Sequence, residues 1–249
     1  MERLLEVCVD SLESALAAQE GGADRLELCG HLSIGGVTPS FALIEAVMAQ
    51  VTIPVNVLIR PRFGDFCFTG AEKQQLLREV AFCRDVGVHG VVLGALDPEG
   101  RLDEEHLAAS MEVGGGKLSH TLHRAFDLCR DPIEGLETAV ALGFDTILTS
   151  GQQAKAVDGI GLLRDLNQRA GERIAILAGS GVTPENMPLL HRETGIRQFH
   201  FSAKVTRPSP MVFRRPGVPM GLPLADEYER TCADAETVAR AKAVLLGLF

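Results

Sequence analysis

The sequence predicts a closed parallel (β/α)8 barrel, a single domain over residues 1–249. Three observations point there. A glycine followed by an apolar residue or alanine recurs before strand-like segments, at Gly22, Gly87, Gly143 and Gly195. Such a glycine can take positive φ just past a helix and stop it. Each interval between these glycines holds one further strand-like run, so the count reaches eight units of roughly 29 residues, the size of a βα repeat. No composition break or linker divides the series. A doubly wound open sheet is the alternative, but its central strands usually read as unbroken apolar runs, and these do not.

Taken in order, the strands are expected at 4–9, 25–29, 54–60, 90–94, 118–123, 146–149, 173–178 and 198–202. Helix starts fall between them. Thr38 before Pro39, and Thr183 before Pro184, each read as an N-cap with proline in the first turn. Thr69 and Glu72 have the spacing of a capping box, and Asp131 before Pro132 and Glu134 is a variant of it.

Composition removes several functions. With 24 basic and 33 acidic side chains the net charge is −9, and there is no Trp and one Tyr. Nucleic acid and anionic membranes want a basic face, and base stacking wants aromatics, so neither partner is expected. Acidic residues interrupt the first 20 positions, so no export signal is expected there, and no apolar run is long enough for a membrane span. The six cysteines, at 8, 29, 67, 83, 129 and 232, form no C-x-x-C pair. A cytoplasmic protein with reduced thiols is the expectation.

Alternation along the strands separates a helix-facing set from an interior set. Leu5, Val7, Leu26, Leu28, Val55, Val57, Phe199 and Phe201 face the helices. Glu6, Cys8, Glu27, Cys29, Arg60, His123, His200 and Ser202 then point inward, most of them near strand C-terminal ends. Burying so many ionisable groups is costly unless they pair or bind something. One reading is a filled interior in which Arg60 pairs with Glu27 or Glu6. The other is a pocket at the C-terminal mouth, where barrels of this kind place their sites; Glu6, Glu27, His123 and His200 are its candidate acid–base groups.

Glycine-rich loops follow three strands, with Gly35 and Gly36, with Ser150 and Gly151, and with Gly179 and Gly181. Their backbone amides, together with a helix start near Pro184, suit a phosphate or carboxylate; a set of tight turns is the competing reading. Arg197, Lys204, Arg207, Arg214 and Arg215 form a basic stretch that serves either an anionic ligand, a solvated loop or a subunit contact. The site is therefore expected to divide into a carboxylate-rich side and an anion-binding side around Gly151 and Gly181, with Arg60 as the cation. Cys8 and Cys29 each lie two residues after an inward Glu on adjacent strands. A soft thiolate pair suits Cu(I), whereas buried free cysteines also serve as small hydrophobes.

Near its full length the chain resembles the CutC family of copper homeostasis proteins. The segments that carry the resemblance are Leu5-Glu-Val-Cys8, Gly21-Gly-Ala-Asp-Arg-Leu-Glu-Leu-Cys29, Gly35-Gly-Val-Thr-Pro39, Ile59-Arg-Pro-Arg62 with Gly64-Asp-Phe66, His123-Arg-Ala-Phe-Asp127 and Leu148-Thr-Ser-Gly151, reaching to Asp226-Glu-Tyr228. The resemblance implies a cytoplasmic homo-oligomeric barrel that handles copper, with Cys8 and Cys29 as Cu(I) ligands. It supplies no reaction. It also adds Arg62, Asp127 and Ser150 to the candidate ligand-binding residues Arg60, Gly151, Gly179, Gly181 and Ser202. Phe63 departs from the family pattern, which has glycine between Arg62 and Gly64, and bears on the loop over the pocket. Two functions follow as expectations: a copper homeostasis protein, or a barrel enzyme acting on a small phosphate- or carboxylate-bearing metabolite.

Overall fold

The structure, a computed structural model, describes residues 2–218, 220–221 and 226–248. Eight parallel strands close into a barrel: β1 Leu4–Val9, β2 Arg25–Leu28, β3 Val55–Leu58, β4 Gly90–Leu93, β5 Ser119–Leu122, β6 Thr146–Thr149, β7 Ala175–Ala178 and β8 Gln198–Phe201. Pairing of β1 with β8, with Glu6 beside His200, closes the ring and rules out the open sheet. The helices are α1 Leu12–Glu20, α2 Phe41–Met48, α3 Gly70–Val86, α4 Glu104–Gly114, α5 Pro132–Leu142, α6 Ile160–Ala170, α7 Met187–Thr194 and α8 Ala235–Gly247. None of the described helices is long and apolar enough to cross a membrane.

The helix stops are those the glycines predict. Gly87 and Gly143 take φ of 82° and 89°, and each N–H returns to a carbonyl of the last turn. Thr69 and Glu72 complete a capping box, and the Asp131 carboxylate accepts from the amides of Ile133 and Glu134. Two predicted starts move. Thr38 does not cap α2: its hydroxyl accepts from the Arg60 amide at 2.8 Å and donates to Glu79 at 2.7 Å, so Ser40 serves instead. Residues 184–186 form a turn, and α7 begins only at Met187, because Asn186 folds back on the Thr183 amide.

The alternation also holds. Leu5, Val7, Leu26, Leu28, Val57, Phe199 and their counterparts on the other strands pack against the helices in one apolar core. The strands are shorter than expected, and the difference matters for the site. Cys29, Arg60, His123 and Ser202 each lie just past a strand end, where the ladder gives way to the mouth of the barrel. An antiparallel hairpin, β9 Lys204–Pro208 with β10 Glu229–Ala233, precedes α8 and takes up most of the basic stretch. Within it Arg207 faces Asp234 at 3.6 Å and the Arg214 guanidinium stacks 4.3 Å from the Tyr228 ring, so of these cations only Lys204 reaches the mouth.

Candidate functional site

A cavity of about 560 Å³ opens at the C-terminal ends of the strands. Two of its walls carry the chemistry. The first comes from β1, β2 and β8, where parallel register sets Cys8 beside Glu27 and Glu6 beside His200. Glu6 is fully buried and compensated on both oxygens: Oε1 lies 2.8 Å from His200 Nδ1, and Oε2 accepts from Arg25 Nε at 2.5 Å. The other ring nitrogen, Nε2, lies 3.6 Å from Glu27 Oε2. Donor atoms of Cys8, Glu27 and His200 all fall within 4.8 Å of one another. Cys29 Sγ sits beside them, 3.5 Å from Glu27 Oε2.

The network sets the charges. Burial works to raise the Glu6 carboxyl, but Arg25 and His200 outweigh it and hold it at about 2. Burial raises Glu27, with His200 opposing, and burial together with the Glu27 charge raises the Cys29 thiol well above its ordinary value. His200 goes the other way: burial disfavours the imidazolium, yet the Cys8 sulfur, Glu27 and Glu6 push its pKa well up.

The second wall comes from the ends of β3 and β5. Arg60 is 8% exposed and is pinned by backbone carbonyls, NH1 to Gly36 at 3.0 Å and NH2 to Gly64 at 2.7 Å. Its guanidinium carbon stacks 4.7 Å from the Phe66 ring centre. The filled-interior reading, in which Arg60 pairs with Glu27 or Glu6, does not hold: Arg25 occupies Glu6, and among the described residues no carboxylate pairs with Arg60. His123 stands against the same phenyl ring, its own ring centre 4.7 Å from that of Phe66. Its Nδ1 accepts from the Ala125 amide at 3.1 Å, which places the ring proton on Nε2. Burial and the Arg60 charge lower its pKa to about 3, so the ring is neutral. Among the described residues, Arg60 Nε and His123 Nε2 are both buried without a partner.

The anion side expected around Gly151 is differently built. Asp127 fills it: the carboxylate accepts from the Thr149 hydroxyl, the amides of Ser150 and Gln152, the Ser150 hydroxyl and Arg124 Nε. Gly151 N–H turns to Thr149 Oγ1, and a Cβ on Gly151 would stand 2.5 Å from the Gly159 carbonyl oxygen. Asp127, Ser150 and Gly151 are therefore a self-contained loop, and Arg62 is drawn off to Glu72 and Asp65. None of these four lines the cavity, whereas Gly181 and Ser202 do. Gly179 lies behind the lining, where a Cβ would meet Leu148 Cδ1 at 2.5 Å. Phe63 is 68% exposed and outside the cavity, while Gly64 beside it supplies a carbonyl to Arg60.

The sequence reading missed Arg25 and Phe66. Alternation could have found Arg25, which stands two residues before Glu27 on the same strand face. Phe66 lies in a loop, where no periodicity marks it.

Comparisons agree with this architecture. The model of the CutC family matches residues 3–205. A family protein CutC of Mesorhizobium japonicum is 44% identical over 245 residues, covering 96% of this chain and 95% of its own. A human protein named copper homeostasis protein cutC homolog is 42% identical, covering 97% of this chain and 88% of its own. The crystal structure of CutC from Streptococcus agalactiae superposes with a TM-score of 0.76 at 30% identity, over 80% of this chain and 98% of that one.

Proposed function

The chain belongs to the CutC family, and from that premise we propose that it serves copper homeostasis by binding Cu(I) on the first wall of the cavity, at Cys8 and His200 with Cys29 alongside. The observation that carries this reading is the hydrogen bond between Glu6 Oε1 and His200 Nδ1. A metal-binding histidine is commonly held by a carboxylate on its second nitrogen, which fixes the ring and makes the free nitrogen a better donor. Here the other nitrogen, Nε2, is within 4.8 Å of the Cys8 sulfur, and copper would take the place of the proton that the neighbouring acids favour there. Thiolate and imidazole are soft and borderline donors, which suits Cu(I). This refines the pair of cysteines suggested by sequence: Cys29 contributes a second sulfur from the adjacent strand, two residues beyond Glu27.

Copper is cargo in this reading, and no reaction is required. The test is an anaerobic titration of the reduced protein with Cu(I) against a chromophoric chelator. Sub-micromolar affinity is expected, with its greatest loss in Cys8→Ser, a large loss in His200→Ala and a smaller one in Cys29→Ser. Unchanged affinity in a Cys8→Ser, Cys29→Ser double variant would remove the thiols from the site and sink the proposal.

A further inference from the structure

We infer that the second wall of the cavity is a subsite for a small organic acid, its carboxylate against Arg60 and a neighbouring carbonyl or hydroxyl oxygen against His123. A guanidinium taken almost wholly out of water with no counterion is expensive, since burial and backbone dipoles replace only part of its hydration. Arg60 is in that condition: three carbonyls and a phenyl ring hold it in place, and among the described residues no carboxylate neutralises it. Buried polar atoms nearly always find partners. Among the described residues eight side-chain atoms do not, Arg25 Nη2 on the first wall among them, but only Arg60 Nε and His123 Nε2 belong to residues that line the cavity. Both side chains stand 4.7 Å from one ring, that of Phe66, so one small molecule can answer both.

The donors specify the ligand. Arg60 offers one positive charge in a planar fork, the shape that suits a carboxylate. The loop after β6 is closed on Asp127 and adds no donor for a phosphate dianion, and Gly181 and Lys204 line the cavity from beyond β7 and β8, not from the wall that carries Arg60. His123 is a neutral donor with its proton fixed on Nε2 by the Ala125 amide, so it matches an uncharged acceptor oxygen. Leu58, Leu148 and Phe201 supply apolar surface for the rest of the molecule, and about 560 Å³ is far more room than one metal ion fills. The inference stands independently of copper, because Arg60 and His123 are no part of the Cys8 and His200 donor set.

Pyruvate, 2-oxobutyrate and phenylpyruvate are the probes, with propionate as the acid lacking the second acceptor and inorganic phosphate as the competing anion, titrated by calorimetry into the whole protein. At least one 2-oxo acid should bind in the millimolar range or better and more tightly than propionate, with phosphate failing to displace it. Arg60→Met should weaken it at least about tenfold, the loss that one charge-assisted hydrogen bond brings. His123→Phe, which keeps the ring and removes the donor, should reduce the 2-oxo acid to the affinity of propionate and leave propionate unchanged. Cys8→Ser, which disrupts the copper site, should leave all of these affinities as they were. Should Arg60→Met fail to fold, Arg60→Lys answers the same question, since it keeps the charge and loses the fork. No binding by any of the three 2-oxo acids, displacement by phosphate, or equal affinity in the His123→Phe protein overturns the inference.

Discussion

The two walls of the cavity are equally buried and opposite in preparation. On the wall made by β1, β2 and β8 every charge has an answer: Arg25 and His200 bracket Glu6, and His200 in turn faces Glu27. On the wall at the ends of β3 and β5 a guanidinium and an imidazole are fixed in place by backbone groups and the Phe66 ring. The difference teaches what each wall is ready to accept. A network that ends in an imidazole nitrogen, a carboxylate and sulfur suits a cation that can displace their protons, while a guanidinium with no counterion among the described residues suits an anion. The loop after β6 supplies a third case, a set of anion donors that the chain satisfies with its own Asp127.

The comparison breaks most decisively if the compensated wall proves indifferent to losing a partner. Arg25→Met strands Glu6 in the interior and should cost about 3–5 kcal/mol in urea denaturation, the usual penalty for breaking a buried pair. An Arg60→Met protein removes an unpaired charge instead and should lose much less. Equal losses would erase the distinction between the walls.

The same contrast has a pH signature. Glu6 is held at about 2 against an ordinary 4.5. A carboxyl lowered by folding contributes stability that is complete above its unfolded value and is lost as pH falls through the folded one. Urea midpoints should therefore drop between about pH 4.5 and pH 2, and Glu6→Gln should flatten that drop. His200, raised by folding, acts in the reverse sense: its contribution is present below 6.5 and is lost as pH climbs through the higher folded value.

A smaller effect sharpens the third case. Asp127→Ala leaves the Thr149 and Ser150 donors and the Gln152 amide without their acceptor, and should cost about 2–3 kcal/mol. Added acetate should restore part of the thermal stability of that variant and none of the wild type's. The smallest effect is expected at Phe63: its ring is 68% exposed, so Phe63→Gly should change stability by no more than about 0.5 kcal/mol and leave ligand binding alone.

Much of this was legible because periodicity and glycine chemistry are local. The alternation of Leu5, Glu6, Val7 and Cys8 tells which side chains enter the barrel, and Gly87 or Gly143 tells where a helix must stop. Which interior groups meet each other is set by register between strands, and alternation alone leaves open whether Arg60 pairs with Glu27, with Glu6 or with neither; Arg25 has Glu6. Cap signals failed where another contact claimed the side chain, as Arg60 and Glu79 claim Thr38. The Ser150–Gly151 loop has the composition of an anion site and is one, but its anion is Asp127, fixed by a contact 23 residues away in sequence. The hairpin of β9 and β10 carries no period-2 signal strong enough to stand out in a basic stretch.

The hydrogen bond between Glu6 and His200 joins residues 194 apart in the chain. During synthesis Glu6, Cys8, Glu27 and Cys29 leave the ribosome early and wait for His200, on the order of 10–40 seconds at ordinary elongation rates. Until β8 arrives, β1 is an unprotected sheet edge, and only Arg25, 19 residues away, is at hand to answer Glu6. The fixed imidazole donor thus comes into being with ring closure itself. A nascent or truncated chain carries both thiols and lacks the histidine, so the cluster of Cys8, Glu27 and His200 exists in the finished barrel and in no shorter fragment.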